Sequence, residues 1–93
     1  MELKIKSVQQ LGQLSRAVRK SQGLDQTTAA IFSGSAKNFV SQFENGKSSV
    51  EIGRVFDLLE NLGVELSVNV SVPIDPENKE KLLKSLDKLG FDV

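Results

Sequence analysis

Ninety-three residues with no cysteine, histidine, tryptophan or tyrosine make one small domain, whose core must rest on leucine, valine, isoleucine and five phenylalanines. Without cysteine and histidine, disulfides, thiolate metal sites and the commonest general base are excluded, so neither catalysis nor a cofactor is expected. The formal charge is zero, but residues 1–49 hold seven Lys or Arg against three Asp or Glu, and residues 50–93 hold five against nine.

That asymmetry suits a module with one anion-facing end, because local potential outweighs the total. The first six residues, MELKIK, alternate and form either a small strand or an arm. They carry no signal-peptide core, and no segment reaches transmembrane length, so a cytoplasmic location is expected. From Ser7 the period lengthens. Val8, Leu11, Leu14, Ser15 and Val18 recur at three and four, which predicts an amphipathic helix ending before Gly23. Ser7 is its expected cap, with Gln10 completing a capping box, and Arg19 and Lys20 lie near its last carbonyls.

Asp25 is the natural N-cap of a second, shorter helix, with Ala29, Ala30 and Phe32 as its compact apolar surface. Gly34 interrupts it. Ser35 can cap a third helix from about Ala36 to Glu44, which Gly46 stops. Ser48 or Ser49 is the expected cap of a fourth. There Ile52, Val55, Phe56, Leu58, Leu59 and Leu62 make the broadest apolar face in the chain, and Gly63 ends it.

After Gly63 the period switches to two. Val64, Leu66, Val68, Val70 and Val72 point one way, and Glu65, Ser67, Asn69 and Ser71 the other, which predicts a strand over 64–72. A single strand cannot satisfy its own backbone. Either the N-terminal arm pairs with it or the same strand of a second copy does. Pairing across a two-fold is the simpler solution because it also buries the valine face, so a homodimer is expected. Pro73 and Pro76 then break the chain, and 77–89 reads as a final helix with a stripe of Leu82, Leu83, Leu86 and Leu89. The chain thus divides into a domain over 1–72 and an extension over 73–93.

Two short helices around a glycine turn make a helix-turn-helix. Ala30 supplies the small residue where the helices approach, Gly34 the turn, and Val40 the branched side chain that packs the second helix back, with Phe39 or Phe43 behind it. Gln26, Ala30, Gly34 and Val40, followed by Phe43-Glu44-Asn45-Gly46-Lys47, resemble the repressor-type helix-turn-helix of phage repressors and many bacterial regulators. The likeness runs on through Asp57–Gly63, and Glu65–Val68 is similar to the strand of HipB-type antitoxins. It covers roughly residues 8–72 and leaves the last helix outside. One departure is Ser35, where many members have Ile or Val; it loses a packing contact and offers an N-cap.

The resemblance implies a mainly α, lambda-repressor-like bundle whose dimers are closed by a small intermolecular sheet. It also implies palindromic operator DNA and a HipA-like serine/threonine kinase toxin as partners. On that footing the third helix enters the major groove, with Lys37, Asn38, Ser41, Ala36 and Gln42 available to base edges. Gln26 and Thr27, at the start of the preceding helix, and Asn45 and Lys47, after the recognition helix, are the expected phosphate contacts. Arg19 and Lys20 are weaker candidates. Glu44 is expected to turn inward, toward Arg16 or Arg19. Val64, Leu66, Val68, Val70 and Val72 would close the dimer. The function so implied is an antitoxin and autorepressor. The alternatives are an autonomous repressor without a toxin, or an interaction module that has lost DNA binding.

Overall fold

The computed structural model describes residues 1–93 as five helices and no strand: α1 Val8–Ser21, α2 Gln26–Phe32, α3 Lys37–Glu44, α4 Ile52–Asn61 and α5 Pro76–Lys88. Their ends follow local chemistry. The Ser7 hydroxyl accepts from the Gln10 amide at 3.1 Å. The return half of the capping box lands one residue further out, where Gln10 Oε1 accepts from the Lys6 amide at 2.7 Å. Asp25 caps α2 by accepting from the Thr28 amide at 2.7 Å. Gly34, with φ at 69°, makes the left-handed turn between α2 and α3, a conformation that a side chain would strain.

Two expected caps fall elsewhere. Ala36, not Ser35, is the N-cap of α3, and it offers no side-chain acceptor. Ser35 still belongs to the turn. Its amide donates to the Ala30 carbonyl at 2.9 Å, and its hydroxyl pairs with that of Ser33 at 3.0 Å. The Ser33 hydroxyl lies 2.9 Å from the Ala29 carbonyl and so closes the end of α2. Likewise Glu51, not Ser48 or Ser49, precedes α4. Val50 packs against the core just before that helix and delays its start beyond the serines.

The core is Ala29, Ala30, Val40, Phe43, Val55, Leu58, Leu59 and Leu62, with Leu11, Val18, Leu24, Phe39, Val50 and Val64 packed around it. Phe32 and Phe56, expected inside, are 61% and 52% exposed. At about 100° per residue, Phe32 lies roughly a quarter turn or more from the direction shared by Ala29, Ala30 and Ser33. Phe56 is displaced similarly from the line of Val55, Leu58 and Leu59. Where α1 crosses α3 the backbones touch: a Cβ on buried Gly12 would overlap the Phe43 carbonyl oxygen. Ser15 beside it is buried with an unpartnered hydroxyl.

The expected strand over 64–72 does not form in the single chain. The Val64 amide donates to the Leu59 carbonyl at 2.8 Å, completing the turn after α4. Residues 65–74 then make no backbone hydrogen bond at all, and the N-terminal arm does not pair with them. A strand exists only as part of a ladder, and one chain supplies no second rail. Beyond it, α5 starts at Pro76, where Asp75 caps it by accepting from the Glu77 amide at 3.0 Å. This helix fully buries none of its residues. The outcome is an elongated chain of 50 × 26 × 22 Å, with a radius of gyration of 16.5 Å, against about 12 Å for a compact domain of this length.

Candidate nucleic-acid interface

The inner side of α3 is fixed by Val40 and Phe43, both fully buried, and by Phe39, whose ring stacks on Phe43 at 6.1 Å between centroids. Lys37, Asn38, Ser41, Gln42 and Asn45 occupy the other side, within about 140° of arc. Lys37, Asn38, Gln42 and Asn45 are exposed and Ser41 is half-buried. The side chains of Lys37, Asn38 and Ser41 have no hydrogen-bond partner within the chain, and Ala36 leaves the first amides of α3 uncapped. Such an arc of free donors and small polar groups matches what base edges and phosphates accept.

One buried network sets the angle of this helix. Arg19 of α1 donates through Nε to Glu44 Oε2 at 2.6 Å and through Nη2 to Oε1 at 2.9 Å. Its Nη1 donates to the Leu24 carbonyl at 2.7 Å, just before α2. Gln26, the first residue of α2, donates through Nε2 to the same Glu44 Oε1 at 3.1 Å. Three helices are thus pinned at one carboxylate. A bidentate guanidinium–carboxylate pair is the strong form of such a contact. The hydrogen bond to Glu44 raises the Arg19 pKa above its ordinary value, opposed by burial and assisted by the Glu44 charge, so the guanidinium stays charged.

The sequence-predicted residues sort accordingly. Glu44 turns inward to Arg19, not to the exposed Arg16. Arg19 is therefore withdrawn from any phosphate role, because its guanidinium is spent inside. Gln26 has one N–H committed to Glu44 and keeps the second for a ligand, while Thr27 beside it is exposed. The Lys47 amide donates to the Gln42 carbonyl at 3.0 Å, and its ammonium lies 3.4 Å from Gln42 Oε1, so these two form one rim of the arc. Asp25 sits at the opposite end. Its carboxyl is held below the usual range chiefly by the Thr28 backbone hydrogen bond, with help from the nearby Arg19 and Lys37 charges. Val64 packs on the core, but Leu66, Val68, Val70 and Val72 lie exposed beyond α4 and form no part of this surface. Sequence reasoning passed over Gly12 and the Leu24 carbonyl. The glycine within an otherwise regular helix was the available signal for a close backbone approach.

A family model described as helix-turn-helix matches residues 16–69, more than half of the chain. An uncharacterized HTH-type transcriptional regulator, y4mF of Sinorhizobium fredii, is 35% identical over 68 residues, which is 73% of this chain and 90% of that protein. Among solved structures, a HipB-O4 20mer complex superposes with a TM-score of 0.69 at 26% identity, covering 75% of this chain and 99% of that one. A HipA-HipB-O2-O3 complex gives 0.70 at 26% identity, with the same coverage. The restriction-modification controller protein C.AhdI from Aeromonas hydrophila gives 0.57 at 31% identity over 62% of this chain and 84% of its own. No helix here is long and apolar enough to cross a membrane. With the polar arc of α3, its buried anchor and these matches in hand, the chain belongs to the helix-turn-helix family of DNA-binding transcriptional regulators.

Proposed function

We propose that this regulator is an antitoxin and autorepressor: a cytoplasmic homodimer that binds a palindromic operator and holds a HipA-like serine/threonine kinase inactive. The observation that carries the DNA half is the free polar arc of α3, held at a fixed angle by the Arg19–Glu44–Gln26 network. In this reading Lys37 donates to guanine O6 or N7, Asn38 addresses adenine, and Ser41 allows close approach, with Ala36 and Gln42 at the margins. Gln26 and Thr27 clamp one phosphate, and Asn45 and Lys47 another.

Dimerisation falls to Val64, Leu66, Val68, Val70 and Val72. The unpaired backbone of 65–74 supports it, since a second copy would supply the missing ladder. Likeness to a HipB chain solved together with HipA supports the kinase as partner. Likeness to the controller protein C.AhdI favours instead a regulator that works without a toxin.

The test of the groove assignment is Lys37→Ala with Ser41→Ala. Each lost base contact should cost about 1–3 kcal/mol of sequence discrimination, with folding stability unchanged within about 0.5 kcal/mol. Unaltered specific affinity would sink it. Co-purification at native expression, followed by a footprint on the chain's own promoter, separates the two uses. A kinase in the complex supports the antitoxin; a footprint made by the regulator alone supports the autonomous repressor.

A further inference from the structure

The part of the chain that the family match leaves out is an arm with its own geometry. The match ends at residue 69, and α5 lies wholly beyond it. Seven residues of extended chain from Leu66 to Val72 span about 23 Å. The thirteen residues of α5 span about 20 Å. Just past the helix, Phe91 lines one groove with Phe56, Leu66, Ser67 and Val68. The helix therefore retraces the extended segment, turning at Pro73–Asp75 and returning its end to α4. Leu82, Leu83 and Leu86 are half-buried along it. One segment and one helix still make no core: Val68 is 88% exposed and Phe91 59%.

A second copy completes this layer. With 64–72 paired antiparallel about Val68, Val64 faces Val72, Leu66 faces Val70, and every apolar residue falls on one side. On the other side Glu65 meets Ser71 and Ser67 meets Asn69, so no like charges oppose one another across the pair. The two-fold brings a second α5 over the same face, from the opposite end.

We propose that α5 is the second layer of the dimer: two copies form a two-stranded ribbon through 64–72, and their two α5 helices together cover its apolar side. This rests on the homodimer reading above. It adds that the leucine stripe is occupied by another copy of this chain and not by a kinase.

The test is sedimentation equilibrium and amide hydrogen exchange on the full chain, comparing wild type with Leu82→Ala/Leu86→Ala. Alanine preserves helix propensity, so α5 loses apolar surface without losing its tendency to form. Wild type should dimerise with protection at every second amide over 65–72, those that face the partner strand and have no partner within one chain. The variant should dimerise at least tenfold more weakly and lose that protection, while the bundle over 8–62 melts at an unchanged midpoint. Lys81→Ala, on the exposed side of α5, should leave both readouts alone. Dimerisation of the leucine variant within twofold of wild type would overturn the proposal. If that variant also loses a co-purifying kinase, the stripe belongs to the kinase instead. Val68→Asp separates the two readings: monomers from it, beside an unaffected leucine variant, leave the ribbon standing and remove α5 from it. A monomeric wild type at micromolar concentration would remove both.

Discussion

The body over 8–62 and the arm over 63–93 are built on opposite terms. The body closes on itself: its core residues are sealed, its one deeply placed ion pair is satisfied on both carboxylate oxygens, and its helices meet down to backbone contact. The arm holds apolar residues in good order and seals none of them. Its ion pairs, Lys81–Glu77 and Lys84–Glu80, lie in water along one helix face, where such pairs contribute a few tenths of a kcal/mol each, about 0.3–0.5. The arm is the richer of the two in leucine and valine, ten of 31 residues against eleven of 55 in the body, yet it is the body that closes a core. The difference is supplied by whether neighbouring elements exist to cover the apolar face.

The sharpest way to break this contrast is at the buried pair. Arg19→Ala strands the Glu44 carboxylate inside the body and should cost about 3–5 kcal/mol in urea unfolding. A double-mutant cycle with Glu44→Ala should recover much of that loss, because the second change removes the orphaned charge. A matched pair of leucines comes next. Leu58→Ala should destabilise by about 2–5 kcal/mol. Leu86→Ala should shift the melting of the bundle by less than about 0.5 kcal/mol. Equal effects would erase the distinction between body and arm.

Gly12→Ala is a smaller probe. The added methyl meets the Phe43 carbonyl oxygen and forces α1 off α3. Thermal melting should show a loss of about 1–3 kcal/mol, despite the helix propensity that alanine adds. The mildest effect belongs to Asp25. Because its folded pKa lies below the ordinary value, its contribution is fully present above the ordinary carboxylate range. That contribution is lost as pH falls through the lowered pKa. Asp25→Asn removes that charge, so it should lower stability slightly at neutral pH, leave the acid end nearly unchanged and so flatten this acid limb of the stability profile.

What could be read from the sequence follows the same division. Five helices, the Asp25 cap, the turn at Gly34, the inward Val40 and Phe43, and the inward turn of Glu44 were all legible, because each depends on spacing within a few residues or on a compact motif; the choice of Arg19 over Arg16 as its partner was not. Phe32 and Phe56 were misplaced because hydrophobicity names a residue type, whereas burial depends on the angle around the helix. Ser35, Ser48 and Ser49 have the right chemistry to cap, but the chain had turns and core contacts to complete first. The strand was legible as a pattern and absent as a structure. Alternation records which face wants burial, but it supplies no partner for the backbone, and within one chain none is present.

The contact between Gly12 and the Phe43 carbonyl bears on recognition itself. Backbone has no rotamers to choose among, so a helix seated on backbone reaches its target already in position. On the groove reading proposed above, α3 would lose little backbone freedom on binding, and the ordering cost would fall on its exposed polar side chains alone.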